Sequence, residues 1–177
     1  MRKKNLLPVI AWFIIKFNLL ALPMYAVIIS GFDFEPFKIF TAQISNALLH
    51  SLGYATTQMG STIHTSIANI DISWDSTGWK SLYAITALAI ATPFKNASKR
   101  KFLIMALPII FVVNILRVVT TIGIALSYGM QYFDIVHLFL WREGLITAVV
   151  ALWAVWLWRE KDNITKDQGI FRWMLGR

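Results

Sequence analysis

Long apolar runs separated by short polar stretches dominate the chain. A hydrocarbon core about 30 Å thick needs about 20 helical residues, and that template predicts spans over residues 6–30, 76–94, 102–127 and 135–158. Lys16, Asn18 and Pro23 interrupt the first of these. Its length, and the want of a small-x-small exit, favour a retained span over a signal peptide. The second is the shortest. Trp79 to Phe94 reaches spanning length only if the helix begins near Ser76 and Lys80 extends its ammonium outward.

Residues 31–75 carry a different pattern. From Phe37 to Leu52, a helical period puts Phe40, Ile44, Leu48 and Leu52 on one face, which predicts an amphipathic helix lying on the membrane interface or a short re-entrant one. Two alternating runs follow, Ile63-Thr65-Ile67 and Ile70-Ile72-Trp74, split by Ala68-Asn69; they predict a small β-hairpin that must rest on something larger. The expected fold class is thus an all-α polytopic membrane protein. It forms a single integral membrane domain over 1–177, with about four transmembrane helices, an outer amphipathic helix and a small outer hairpin.

Composition supports this class: 57% of the 177 residues are hydrophobic and 15% are charged, too few charges to coat a soluble domain. The net charge of +8 gathers in Arg2–Lys4, in Lys95 with Lys99–Lys101, and in the tail after Arg159, each beside an apolar run. Such clusters orient spans rather than bind nucleic acid, for which a basic soluble face interleaved with aromatics is expected. The 31–75 segment holds one Lys and no Arg, and 127–134 holds neither. Four spans in a plasma membrane, with both termini cytoplasmic, satisfy every loop. Cysteine is absent, which excludes disulfides and thiolate metal sites. His50, His64 and His137 are scattered without carboxylates at ligand spacing, so neither metal nor cofactor is expected.

Several polar residues sit where lipid disfavours them. An arginine near mid-bilayer costs several kcal/mol, so Arg117 needs a reason. Asn114 precedes it by one turn, and Thr120 and Thr121 continue the stripe. Either a polar seam joins helices here or the stripe lines a substrate cavity. His137 falls at the outer mouth of the last span, with Arg142 and Glu143 deeper. Trp74-Asp75-Ser76-Thr77-Gly78-Trp79 marks the entry to the second span, where Asp, Ser and Thr are ordinary capping residues. The topology nevertheless turns Ser76, Arg117 and His137 toward one leaflet. A hydroxyl, a fixed cation and an imidazole supply a nucleophile, an anion stabiliser and a proton shuttle.

Ser76-Thr77-Gly78, Asn114-Ile115-Leu116-Arg117 and His137, in this order, resemble the motifs of the exosortase/archaeosortase family of membrane transpeptidases over about residues 50–158. That resemblance implies cleavage of surface proteins at a C-terminal sorting signal and transfer of the acyl group to a lipid or other amine. Arg117 would stabilise the oxyanion, His137 would act as acid and base, and Asn114 would orient the arginine. Asp75, Thr77 and Gly78, with Asn114, would be substrate-binding or supporting residues. The implied partners are a protein substrate with a C-terminal transmembrane signal and a membrane lipid as acceptor. The family's nucleophile is a cysteine, and this chain has Ser76, which is far harder to ionise. An inactive Cys-to-Ser form, a natural serine enzyme and a natural pseudoenzyme are the readings that remain. Two other classes compete: a non-enzymatic membrane assembly subunit locked by Arg117 and Glu143, and a serine intramembrane protease pairing His137 with Ser76.

Overall fold

A computed structural model describes residues 7–133 and 144–166, with side chains through Glu160. Five helices appear among them: α1 Leu7–Ile29, α2 Glu35–Ser51, α3 Trp79–Ala91, α4 Asn96–Tyr128 and α5 Leu145–Lys166. Of these, α1 and α4 are long and apolar enough to cross a membrane. No residue of α1 is buried, while all its leucines and isoleucines except Leu20 stand open to the surroundings. In water that exposure would be ruinous; in lipid it is the expected state of a spanning helix.

Helix lengths depart from the sequence-based spans in an instructive way. At about 1.5 Å per residue, the 13 residues of α3 reach only about 20 Å. The helix begins at Trp79 rather than near Ser76, because Gly78 takes a left-handed conformation with φ of 79°. Lys80 does not reach outward alone; its Nζ pairs with Asp75 at 2.8 Å. By contrast α4 runs for 33 residues, about 50 Å, and absorbs the basic stretch 99–101 expected as loop into its first turns. No proline or glycine stands between Asn96 and Phe102 to stop it. Residues 134–143, the first part of the expected fourth span, lie outside the described residues.

Two cores stack along α4. Toward its C-terminal end, Ile115, Val118, Val119 and Ile122 meet Ala42 and Leu49 of α2 together with Ile63, Ile70 and Ile72. Toward its N-terminal end, Phe102, Ala106 and Ile110 meet Ile85 and Ala89 of α3 and Val149 and Trp156 of α5. The amphipathic helix expected over 37–52 is α2, and its faces are apportioned as a membrane protein requires. Small and polar Thr41, Ala42 and Ser45 are buried, whereas Phe40, Leu48 and Leu52 of the apolar stripe are exposed. Only Ile44 of that stripe packs against the core.

The expected hairpin is one strand short of what forms. β1 Thr57–Met59, β2 Thr62–His64 and β3 Asn69–Asp71 make a three-stranded antiparallel sheet in sequential order, with Ile63 opposite Ile70. The added strand is turned by Gly60-Ser61. A positive φ of 60° at Gly60, the first central residue, is the mark of a type II′ hairpin turn. Ile63 is fully buried and Ile70 nearly so, so the sheet rests on α2 and α4 through one face. Ile67 lies in the turn and Ile72 and Trp74 beyond β3, so the alternating runs are longer than the strands they form. The loop after α2 is tied down at Tyr54, whose hydroxyl meets Ser127 Oγ at 2.9 Å.

Candidate active site

The chain from Ser73 to Trp79 makes a 3₁₀ turn, Trp74–Thr77, and then reverses at Gly78 into α3. Ser73 begins the turn in extended conformation and its Oγ accepts from the Ser76 amide at 3.3 Å, an N-cap arrangement. Fully buried Thr77 closes it by donating from Oγ1 to the Trp74 carbonyl at 2.7 Å. Trp74 stacks on Trp79 at 5.3 Å, and the rings of Phe32, Phe34 and Phe37 meet its edge or face at 6.1–6.4 Å. The position of Ser76 is therefore held by backbone geometry, two side-chain hydrogen bonds and an aromatic cluster.

Against this turn lies the polar stripe of α4. Asn114 Nδ2 and Arg117 Nη2 both donate to the Ser76 carbonyl oxygen, at 3.1 Å and 2.8 Å. Close approach is possible because residue 78 is glycine: a Cβ there would stand 2.6 Å from Asn114 Cγ. The expected grouping of Ser76, Thr77 and Gly78 with Asn114 and Arg117 is thus present in space. Asp75 flanks it in the half-exposed pair with Lys80. Thr121 joins the stripe, its Oγ1 donating back to the Arg117 carbonyl at 2.8 Å, but Thr120 points away and is exposed. His137, Arg142 and Glu143 lie outside the described residues.

The burial and hydrogen bonding of these polar groups are unequal. Arg117 is 5% exposed, yet among the described residues no carboxylate pairs with it, and its Nε and Nη1 have no hydrogen-bond partner. Asn114 Oδ1, equally enclosed, is unpartnered too. Leaving a buried donor unsatisfied costs about 1–3 kcal/mol, and more on a charged group. Folds carry such atoms rarely, and an ordered water, an ion or a reacting group is what completes them.

Ser73 lies beside Ser76, although its sequence context does not single it out. Its hydroxyl lies 2.9 Å from that of Ser76, so it touches both the amide and the side chain of the central residue. The signal available was its place three residues before Ser76, the ordinary spacing of a cap to the amide it satisfies. Beside the turn, a cavity of about 300 Å³ opens between the end of α1 and the two tryptophans, lined also by Asp33, Asp75 and Lys80.

Long apolar helices exposed as lipid requires, with a buried arginine reaching a capped turn, point to a membrane protein with a buried polar cluster. The sequence profile of the transmembrane exosortase family matches residues 9–157, most of the chain, and the protein belongs to that family. No curated protein and no solved structure matches it.

Proposed function

We propose that the protein is a membrane transpeptidase. It would cleave surface proteins at a C-terminal sorting signal and pass the acyl group to a lipid or other amine. Ser76 occupies the family's cysteine position, and this chain is the inactive Cys-to-Ser form. The observation that carries the proposal is the buried Arg117, which donates to the Ser76 carbonyl through Nη2 while, among the described residues, Nε and Nη1 have no partner.

In the chemistry proposed, a thiolate at position 76 attacks the scissile carbonyl and its electron pair moves to oxygen. The oxyanion takes the open donors of Arg117, in surroundings where such donors act far more strongly than in water. The intermediate then collapses, His137 protonates the leaving amine, and a thioester remains. An acceptor amine attacks that thioester, gives its proton to His137 and displaces the thiolate. Asn114 holds the carbonyl alongside the arginine, and Asp75, Thr77 and Gly78 hold the turn. The substrate is a protein with a C-terminal transmembrane signal, and a membrane lipid is the acceptor. Four spans with cytoplasmic termini would open the site to the outer face. Support for the inactive state comes from the hydroxyl's surroundings. Among the described residues its partner is the hydroxyl of Ser73, which is not a base able to ionise it.

The test is complementation of a source strain deleted for its own copy, with mass spectrometry counting C-terminal tails retained on surface proteins. Ser76→Cys should remove the tails, while the parent chain and Ser76→Ala should leave them. Tails lost equally with the parent chain would make Ser76 itself the nucleophile. Tails retained with a well-accumulated Ser76→Cys protein would contradict the transpeptidase.

A further inference from the structure

At the end of α4 remote from Ser76, a groove of about 220 Å³ runs between α4 and α5 and plays no part in the chemistry above. Phe102, Ala106 and Leu152 form its apolar floor, and Met105, Ile109 and Val155 form a rim that is 41–60% exposed. Trp156 stiffens one wall, stacked on Phe102 at 4.3 Å and edge-on to Phe94 at 4.8 Å. Lys101 and Arg159 stand at the mouth. Each is the last charged residue before a long apolar stretch, Phe102 onward in α4 and Trp158 backward in α5, so both lie at the boundary between hydrocarbon and headgroups.

We propose that this groove binds one anionic glycerophospholipid, with an acyl chain on the floor and the phosphate between Lys101 and Arg159. The floor selects the chain: its lining is apolar and it lies where the two helices enter the hydrocarbon layer, as an acyl chain requires. Charge selects the headgroup. The lining carries two cations against one carboxylate, Glu160, which already accepts from Ser98 Oγ at 2.8 Å. Ser98 in turn receives Trp156 Nε1 at 3.2 Å, so the carboxylate is held within the protein's own network. A net single positive charge complements one phosphodiester, and the planar fork of Arg159 suits its oxygens. A lipid seated here touches both α4 and α5 and joins them. It is distinct from the acceptor lipid, and it stands independently of the transfer reaction.

The experiment is native mass spectrometry of the full chain in micelles containing equal phosphatidylglycerol, phosphatidylethanolamine and phosphatidylcholine. One phosphatidylglycerol per chain should be retained, about tenfold over the other two. Lys101→Gln with Arg159→Gln should abolish that preference, and the charge-matched pair Lys16→Gln with Arg100→Gln should keep it. Ala106→Phe should weaken retention by filling the floor with both cations intact. Equal loss in the two double variants would mean diffuse surface charge and overturn the site. Equal retention of phosphatidylethanolamine would overturn the anionic specificity. A photocrosslinker at position 105 that captures a protein segment in place of lipid would overturn the choice of occupant.

Discussion

Arg117 reaches across 41 positions of sequence to donate from Nη2 to the carbonyl oxygen of Ser76 at 2.8 Å. The bond engages one end of a buried guanidinium with the backbone of the proposed nucleophile, and among the described residues Nε and Nη1 have no partner. In the proposed chemistry Nη2 positions, and the other two nitrogens are the donors offered to a developing oxyanion.

Replacement of Arg117 by methionine separates chemistry from architecture. Exchanging a buried charge for an apolar side chain of similar volume is often neutral or stabilising. Arg117→Met should therefore accumulate normally and keep its melting temperature within a few degrees, while transfer in the Ser76→Cys background falls at least about a hundredfold. Loss of the folded protein, with no defect in what remains, would make Arg117 a structural lock instead. Size-exclusion profiles and thermal unfolding, beside the tail-retention assay, decide this.

Gly78→Ala meets two penalties at once. A left-handed φ of 79° disfavours any Cβ by about 1–2 kcal/mol. The new methyl would also stand 2.6 Å from Asn114 Cγ, an overlap costing about 1–3 kcal/mol more. Thermal unfolding should show the sum, and Asn114→Gly, which removes the Cβ at 3.0 Å as well as Cγ and Oδ1, should recover the steric share alone. Additive losses in the double variant would mean that the two residues do not meet.

Removal of the Ser73 hydroxyl deletes the cap on the Ser76 amide and the neighbour of its side chain. Ser73→Ala should cost about 1 kcal/mol. Ser73→Asp should restore that stability by accepting the same amide bond. If Ser73→Ala leaves stability and transfer in the Ser76→Cys background both untouched, the 3₁₀ turn does not depend on this contact.

Lys38, about 10% exposed on its side chain, contacts Asp33 and Glu35 at 2.8 Å and 2.6 Å. Hydrogen bonds to those two carboxylates hold its ammonium protonated well above the ordinary lysine range. A raised folded-state value contributes stability below the ordinary pKa of about 10.4 and loses it as the pH rises through the higher value. Both carboxylates are about half exposed, so the contribution is about 1 kcal/mol. The melting-temperature gap between the parent chain and Lys38→Met should stay constant from about pH 7 to 10 and close only in stronger alkali. A gap that closes below the ordinary lysine range would contradict the pairing.

The two long apolar helices α1 and α4 were legible in hydropathy, because a span must be apolar over its whole length. Asn114 and Arg117 were legible for the same reason, since lipid makes a polar residue conspicuous. Less visible were features set by tertiary contact. β1 reads as polar Thr57-Gln58-Met59 and forms because β2 is already seated on the core. The late start of α3 depends on Gly78 lying against Asn114, which no periodicity within 76–94 records. Ser73 gave only a weak cue, because a capping serine looks the same whether or not its hydroxyl faces a reactive side chain.

The absence of cysteine allows the most direct measurement, because Ser76→Cys introduces the sole thiol of the chain. Intact-mass analysis of that variant, purified from the deleted source strain, should reveal a peptide adduct that hydroxylamine removes. The same adduct should be missing from the parent chain and from Ser76→Cys combined with Arg117→Met. A folded Ser76→Cys protein of unmodified mass, or an adduct formed equally well without Arg117, would contradict the account.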